Sequence, residues 1–157
     1  MGREIERKFT IKNDDILNQL SEGILYRQGY LNTQIERTVR VRTYSNKGFI
    51  TVKGVSKGAC RLEYEYEIPA DEANEMLNFL CHKPLIEKTR YNYVYKGFLW
   101  EIDIFSGDNQ GLLIAEIELE SENTFFEKPP WIGVEVTGDP HYYNSSLIEN
   151  PYKLWKK

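Results

Sequence analysis

Apolar and polar positions alternate with a period of two over most of the chain, the mark of β-strands whose two faces meet different surroundings. In EIERKFTI (4–11), Glu4, Glu6 and Lys8 fall on one side, and Ile5, Phe9 and Ile11 on the other. The pattern returns in ILYRQGYLN (24–32), ERTVRVRTY (36–44), FITVKG (49–54) and CRLEYEYEIP (60–69). Thr38, Arg40 and Arg42 oppose Val39 and Val41, while Arg61, Glu63 and Glu65 oppose Leu62, Tyr64, Tyr66 and Ile68. SNKG at 45–48 is the turn of a predicted hairpin. Three more strands are predicted at 86–97, 98–105 and 112–121, making eight in all.

Elsewhere the period changes. In PADEANEMLNFLC (69–81), Ala73, Met76, Leu77, Leu80 and Cys81 recur at helical spacing, with Asp71 the predicted cap after Pro69. NDDILNQL (13–20) is predicted as a short helix, and YYNSSLIENPYKLW (142–155) as another that Pro151 interrupts. No low-complexity linker divides the 157 residues. The simplest organisation is a single domain, 1–157, long enough to bury roughly 70% of its unfolded surface.

Alternation alone describes any antiparallel sheet with one wet face. The sign of the charges says more. Carboxylates recur as same-face doublets at Glu4/Glu6, Glu63/Glu65, Glu101/Asp103 and Glu116/Glu118, and cations as Arg40/Arg42 and Lys88/Arg90, with Lys53 and Arg61 nearby in the pattern. Like charges two residues apart on one face sit about 6.6 Å from each other and repel. Paired carboxylates are tolerated where a divalent cation neutralises them, and an oxygen-only donor set suits Mg²⁺ or Mn²⁺. Paired cations suit an anion with several oxygens, such as phosphate. Eight antiparallel strands can close into a barrel whose interior holds side chains or one small ligand. Closure with the charged face inward and the apolar face outward, under the helices, would gather both sets around one hydrated tunnel. The expected fold class is therefore mainly β: a closed eight-stranded antiparallel barrel with a few peripheral helices.

Composition narrows the partners. Apolar residues make up 41%, aromatic residues 13% and charged residues 28%, spread along the chain rather than blocked into a tail. The formal net charge of −4 gives no reason to expect nucleic-acid binding through a broadly basic surface. Cys60, Cys81, His82 and His141 lack metal-ligand spacing, so zinc is not expected and the cysteines read as reduced thiols. No run reaches the roughly 18 apolar residues of a membrane span, and the start lacks an apolar h-region. Glu6 stands where a myristoylation signal would want Ser or Thr. The chain reads as cytoplasmic, with neither a membrane nor a nucleic acid as partner.

The ordered set Glu4-x-Glu6-x-Lys8, Arg40-x-Arg42, Lys53, Glu63-x-Glu65, Lys88-x-Arg90, WEIDIF, GLLIAEIELES and VEVTGDPHYYNSSL resembles the CYTH superfamily, the triphosphate tunnel metalloenzymes, along nearly the whole length. The resemblance implies an eight-stranded tunnel, a small-molecule triphosphate substrate and one or two Mg²⁺ or Mn²⁺ ions. It places Lys8, Arg40, Arg42, Lys53, Lys88 and Arg90 on phosphate oxygens, with Arg61 and Tyr30 as further substrate-side candidates. Glu4, Glu6, Asp103, Glu116 and Glu118 fall to metal ligation, and Glu63 and Glu65 join the catalytic set with Glu4, Glu6, Lys8, Asp103 and Glu118. Glu101 would balance the cations, and His141 stands where family members often carry a basic residue. Trp100, Trp131 and Trp155 read as outer packing.

The expected function is metal-dependent hydrolysis of a triphosphate, inorganic tripolyphosphate foremost. Adenylate cyclisation of ATP and hydrolysis of thiamine triphosphate would share the same phosphate contacts. A non-catalytic module that binds polyphosphate or nucleotide is the reading of another class; the acidic set argues against it, since an anion receptor gains nothing from carboxylates beside its ligand. A homodimer is compatible with the resemblance.

Overall fold

The computed structural model describes residues 2–155; of the expected domain 1–157, Met1, Lys156 and Lys157 lie outside the described residues. Strands β1 (Arg3–Ile11), β2 (Ile24–Asn32), β3 (Thr38–Tyr44), β4 (Lys47–Lys53), β5 (Cys60–Ile68), β6 (Ile86–Tyr95), β7 (Phe98–Phe105) and β8 (Leu113–Glu118) pair antiparallel in the order β5-β4-β3-β2-β6-β7-β8-β1. A short ladder, Arg3↔Leu62 to Ile5↔Cys60, joins β1 back to β5 and closes the barrel. The closure is confined to one end: beyond Glu63, β5 has β4 as its one ladder partner among the described residues, so its far edge stays open. Local chemistry sets the hairpins. Ser45 and Asn46 (φ 51° and 62°) turn β3 into β4, and Lys96 and Gly97 (φ 50° and 82°) turn β6 into β7, the two-residue geometry that matches strand twist.

The core lies outside the barrel wall. Outward residues of β1, β7 and β8, including Phe9, Trp100, Ile102, Ala115 and Ile117, pack beneath Ile16, Phe126 and Trp131. Helix α1 (Ala70–Phe79) covers another sector, setting Ala73 and Leu77 on Val41. Gly48 permits that approach, because a Cβ there would stand 2.6 Å from the Ala73 Cβ. A third cluster fills one end of the barrel: inward Ile86, Phe105 and Ile114 meet Leu147 and Ile148 of the C-terminal segment. The helices do not cover every sector, and Leu62, Tyr64 and Tyr66 on the outer face of β5 remain exposed.

Several local expectations are corrected. A ninth strand, β9 (Ile132–Glu135), lies along β1 at Phe9 and Ile11, outside the barrel; four residues are too short to show a period. Pro69, not Asp71, takes the cap position of α1, with no side-chain cap bond; Asp71 lies in the first turn, where its charge suits the helix dipole. The 13–20 segment is a 3₁₀ helix, Asp14–Gln19, capped by the Asn13 carboxamide oxygen, which accepts from the Asp15 N–H at 2.8 Å. Residues 142–155 form turns and a 3₁₀ piece, Tyr152–Leu154, rather than an interrupted α-helix. Pro140 starts a further 3₁₀ turn and Pro151 precedes the last, so the segment folds in short steps.

A core outside the wall makes a contrasting pair of substitutions informative. Leu77→Ala, at a fully buried position, should cost about 2–5 kcal/mol in urea unfolding, whereas Tyr66→Ala on the uncovered sector should cost less than about 1 kcal/mol.

Candidate active site

The middle of the barrel's inward face is strongly ionic, and strand register decides which charges meet. Like-signed doublets run along β1, β3, β5, β6, β7 and β8, but several positions face the opposite sign across the ladder: Lys8↔Glu116, Arg90↔Asp103, Lys53↔Glu63 and Glu4↔Arg61. Cross-strand pairing thus relieves much of the repulsion that spacing along one strand creates. Arg40, Arg42, Lys88 and Glu65 stand opposite uncharged residues, and at Glu6↔Glu118 and Glu101↔Glu116 a carboxylate faces a carboxylate.

These residues line a cavity of about 90 Å³. Of the expected site residues, Glu4, Glu6, Lys8, Tyr30, Arg40, Arg42, Lys53, Arg61, Glu63, Lys88, Arg90, Glu116 and Glu118 reach it, as does Glu101. Asp103 stands buried behind the lining, and Glu65 lies outside it with its side chain 31% exposed. Both Asp103 oxygens are engaged: Oδ2 accepts from Lys88 Nζ at 2.7 Å and from Arg90 Nη2 at 2.9 Å, and Oδ1 from Arg90 Nε at 2.7 Å. Glu65 Oε2 accepts from Arg40 (3.2 Å), Arg42 (3.3 Å) and the Thr51 hydroxyl (2.8 Å). Arg61 donates to the Gly54 carbonyl and lies over the Tyr143 ring. Tyr143, Asn144 and Ser145 also line the cavity. They come from the irregular C-terminal segment, where no periodicity assigns an inward face; Lys8 Nζ donates to the carbonyl of the preceding Tyr142 at 3.2 Å.

The charge is divided by wall. Around the barrel, β3 and β6, with β2 between them, supply Arg40, Arg42, Lys88 and Arg90. The opposite arc, β8, β1 and β5, supplies Glu116, Glu118, Glu4, Glu6 and Glu63, with Lys53 and Lys8 set among them. Burial would raise Glu116, but Lys8 and Arg90 outweigh it and hold the carboxyl at about 2. Burial raises Asp103 as well, and Lys88 and Arg90 overcome that to keep it ionised well below the usual carboxylate range. Lys88 is drawn down to about 8 by burial, with Arg90 adding to it against the pull of Asp103. Glu6 is pushed up to about 8 by burial, then by Glu116 and Glu4. Burial likewise raises Glu4 and Glu118, Glu63 adding to both.

The acidic wall is under-neutralised, and its donors are all oxygens, the chemistry of a hard divalent cation. Among the described residues, neither Glu6 nor Glu118 has a lysine or arginine nitrogen at ion-pair distance. Nor, among them, do three or more carboxylates, thiols or imidazoles converge closely enough to form a closed metal nest.

The family model described as CYTH domain matches residues 2–152. The chain belongs to the CYTH family. It is 57% identical over 157 residues to an inorganic triphosphatase of Acetivibrio thermocellus, covering 100% of each chain. An inorganic triphosphatase of Nitrosomonas europaea is 37% identical over 152 residues, covering 92% of this chain and 95% of the other. The crystal structure of an inorganic triphosphatase matches with a TM-score of 0.63 at 34% identity, over 92% and 97% of the two chains. A Hippeastrum protein, 15% identical with a TM-score of 0.60 over 75% and 80%, shares the fold alone.

In this CYTH chain the aromatic residues expected outside the tunnel do lie outside it: Trp100 and Trp131 meet edge to face in the outer core, and Trp155 packs on Tyr142 and Tyr152. His141 is exposed beside Asp139 and does not line the cavity. Cys60 and Cys81 are free thiols. Among the described residues, no helix is long and apolar enough to cross a membrane.

Glu6 yields a pH test. An acid whose folded-state pKa is raised contributes fully below its unfolded pKa and weakens the fold as pH rises toward the folded value. With a chelator present, wild-type stability should therefore decline between about pH 4 and the folded pKa of about 8. Glu6→Gln should unfold at a higher midpoint than wild type at pH 8, and the gain should vanish near about pH 4, measured by urea titration.

Proposed function

We propose that this chain is a metal-dependent triphosphatase, a single CYTH-type domain over 1–157 that hydrolyses inorganic tripolyphosphate inside the barrel. One observation carries the reading: a wall of Arg40, Arg42, Lys88 and Arg90 faces carboxylates, Glu6 and Glu118 above all, that lack cationic partners. A triphosphate would place its oxygens on the first wall, and Mg²⁺ or Mn²⁺ would join them to the second. That two relatives are named inorganic triphosphatases supports tripolyphosphate, rather than ATP or thiamine triphosphate, as the substrate of this chain.

In this reading Lys88, Arg90, Arg40 and Arg42 bind phosphate oxygens, with Lys8 and Lys53 reaching the same anion from the acidic side. Arg61 and Tyr30 border it. Glu6 and Glu118 would hold the divalent cation, with Glu4, paired to Lys53, and Glu116, paired to Lys8 and Arg90, beside them. Bound there, such an ion neutralises developing charge and makes a coordinated water more acidic. Glu63, half-buried between Lys53 and Glu4, orients the attacking water. Asp103 and Glu65 take a different part from the one the family motif assigns: both Asp103 oxygens are engaged by Lys88 and Arg90, and Glu65 Oε2 by Arg40 and Arg42, so they fix those cations in place. Phosphoryl transfer needs little covalent chemistry from the protein beyond in-line placement and charge stabilisation, which two walls of opposite sign supply.

Phosphate release from tripolyphosphate, ATP and thiamine triphosphate, each with Mg²⁺ or Mn²⁺, tests the proposal. Tripolyphosphate should be turned over fastest; release from none of them would overturn it. Lys88→Ala should raise KM by about tenfold or more, and Glu118→Ala should lower kcat by about 100-fold with the fold intact. Because Lys88 loses its proton near pH 8, the wild-type KM should climb as pH passes that value.

A further inference from the structure

Arg42 is the least conventionally held cation of its wall. Arg40 donates to Thr51 Oγ1 at 3.1 Å as well as to Glu65, and Arg90 is gripped by Asp103 and Glu116. Arg42 donates only to Glu65, at 3.3 Å, an oxygen it shares with Arg40, and its buried Nε, like that of Arg40, has no hydrogen-bond partner among the described residues. Burial, then Arg40 and Arg90 beside it, disfavours its charge. A guanidinium so weakly paired, with two like charges for neighbours, needs another restraint.

Aromatic rings supply it. β2 brings Tyr26 to the inner face in register with Lys88, where its ring stacks on Tyr44 at 4.3 Å between centroids and 15° between planes. Tyr44 in turn stacks on Phe49 at 5.1 Å and 13°. The Arg42 guanidinium carbon lies 5.3 Å from the Tyr26 centroid and 5.4 Å from that of Tyr44, while Arg90 lies 5.0 Å from Tyr26. One buried ring therefore serves two cations, and a ladder of two more keeps it in place.

A ring face attracts a guanidinium without accepting a conventional hydrogen bond from it, whereas a carboxylate partner occupies the N–H groups that would otherwise meet phosphate. We propose that Tyr26, backed by Tyr44 and Phe49, is a positioning residue for triphosphate binding: its ring holds Arg42 and Arg90 in place while leaving Arg42's N–H edge available to the substrate. The proposal rests on the triphosphatase reading and names a residue that the family motifs leave out.

Steady-state kinetics on tripolyphosphate with Mn²⁺ test it in wild type, Tyr26→Leu, Tyr26→Phe, Arg42→Ala and the Tyr26→Leu/Arg42→Ala double variant. Tyr26→Leu should raise KM about tenfold with kcat within about threefold, and Tyr26→Phe, which keeps the ring, should bring KM back to within about twofold of wild type. The double variant should be worse than Arg42→Ala by less than the full Tyr26→Leu factor, because the ring acts partly through that arginine and partly through Arg90. An unchanged KM in Tyr26→Leu, an equal defect in Tyr26→Phe, or additive losses in the double variant would overturn the proposal. Should Tyr26→Leu fold poorly, Tyr44→Leu removes the ring stacked against Tyr26 and should shift KM in the same direction; an unchanged KM there counts against the proposal. Calorimetric binding of tripolyphosphate to the same proteins separates the two claims. If wild type binds but releases no phosphate, the hydrolase reading fails, and the affinity ratio between Tyr26→Leu and Tyr26→Phe still decides the role of Tyr26.

Discussion

An ion on the inner wall of a barrel has little water to solvate it, so it must find a partner or change its protonation. Register resolves much of this burden here. Because the eight strands pair with fixed offsets, cations of β1, β4 and β6 meet carboxylates of β8, β5 and β7, and Asp103 and Glu116 stay ionised. What register leaves over is concentrated: Glu6 against Glu118 on one side, Arg42 between Arg40 and Arg90 on the other. The account of function rests on that remainder, since a polyanion with a divalent cation neutralises both sides at once.

The inverted arrangement also explains where stability comes from. An interior filled with ions and substrate space cannot supply a hydrophobic core, so the apolar faces point outward and require cover. Helix α1 covers one sector, the segment from Leu119 to Ile132 another, and Leu147 with Ile148 fills one end. Fold and site are thus largely separate, with outer residues holding the barrel and inner residues free to serve chemistry. The ring ladder Tyr26, Tyr44 and Phe49 is an inward exception, aromatic residues that bear on the ions themselves.

Strict alternation made most of this legible in the sequence. Ile24–Asn32 and Phe98–Phe105 coincide with the segments expected, and the inward set can be read from parity alone. Parity assigns a face but says nothing of a partner, so the engagement of Asp103 by Lys88 and Arg90 was hidden until the offset between β6 and β7 was known. The same limit concealed the stacking of Tyr26 on Tyr44, which depends on the β2 to β3 register. Strand β9 was too short to show a period. Tyr143, Asn144 and Ser145 sit in a segment shaped by prolines and turns, where inward and outward positions follow no rule of spacing.

Crystals grown with Mn²⁺ and a non-hydrolysable triphosphate, examined at the manganese absorption edge, give the most direct test. The account predicts an anomalous peak inside the barrel, shared between Glu6 or Glu118 and phosphate oxygens, with Arg42 and Lys88 on the remaining oxygens. Manganese confined to the outer surface, or a triphosphate bound anywhere but between the two walls, would contradict it.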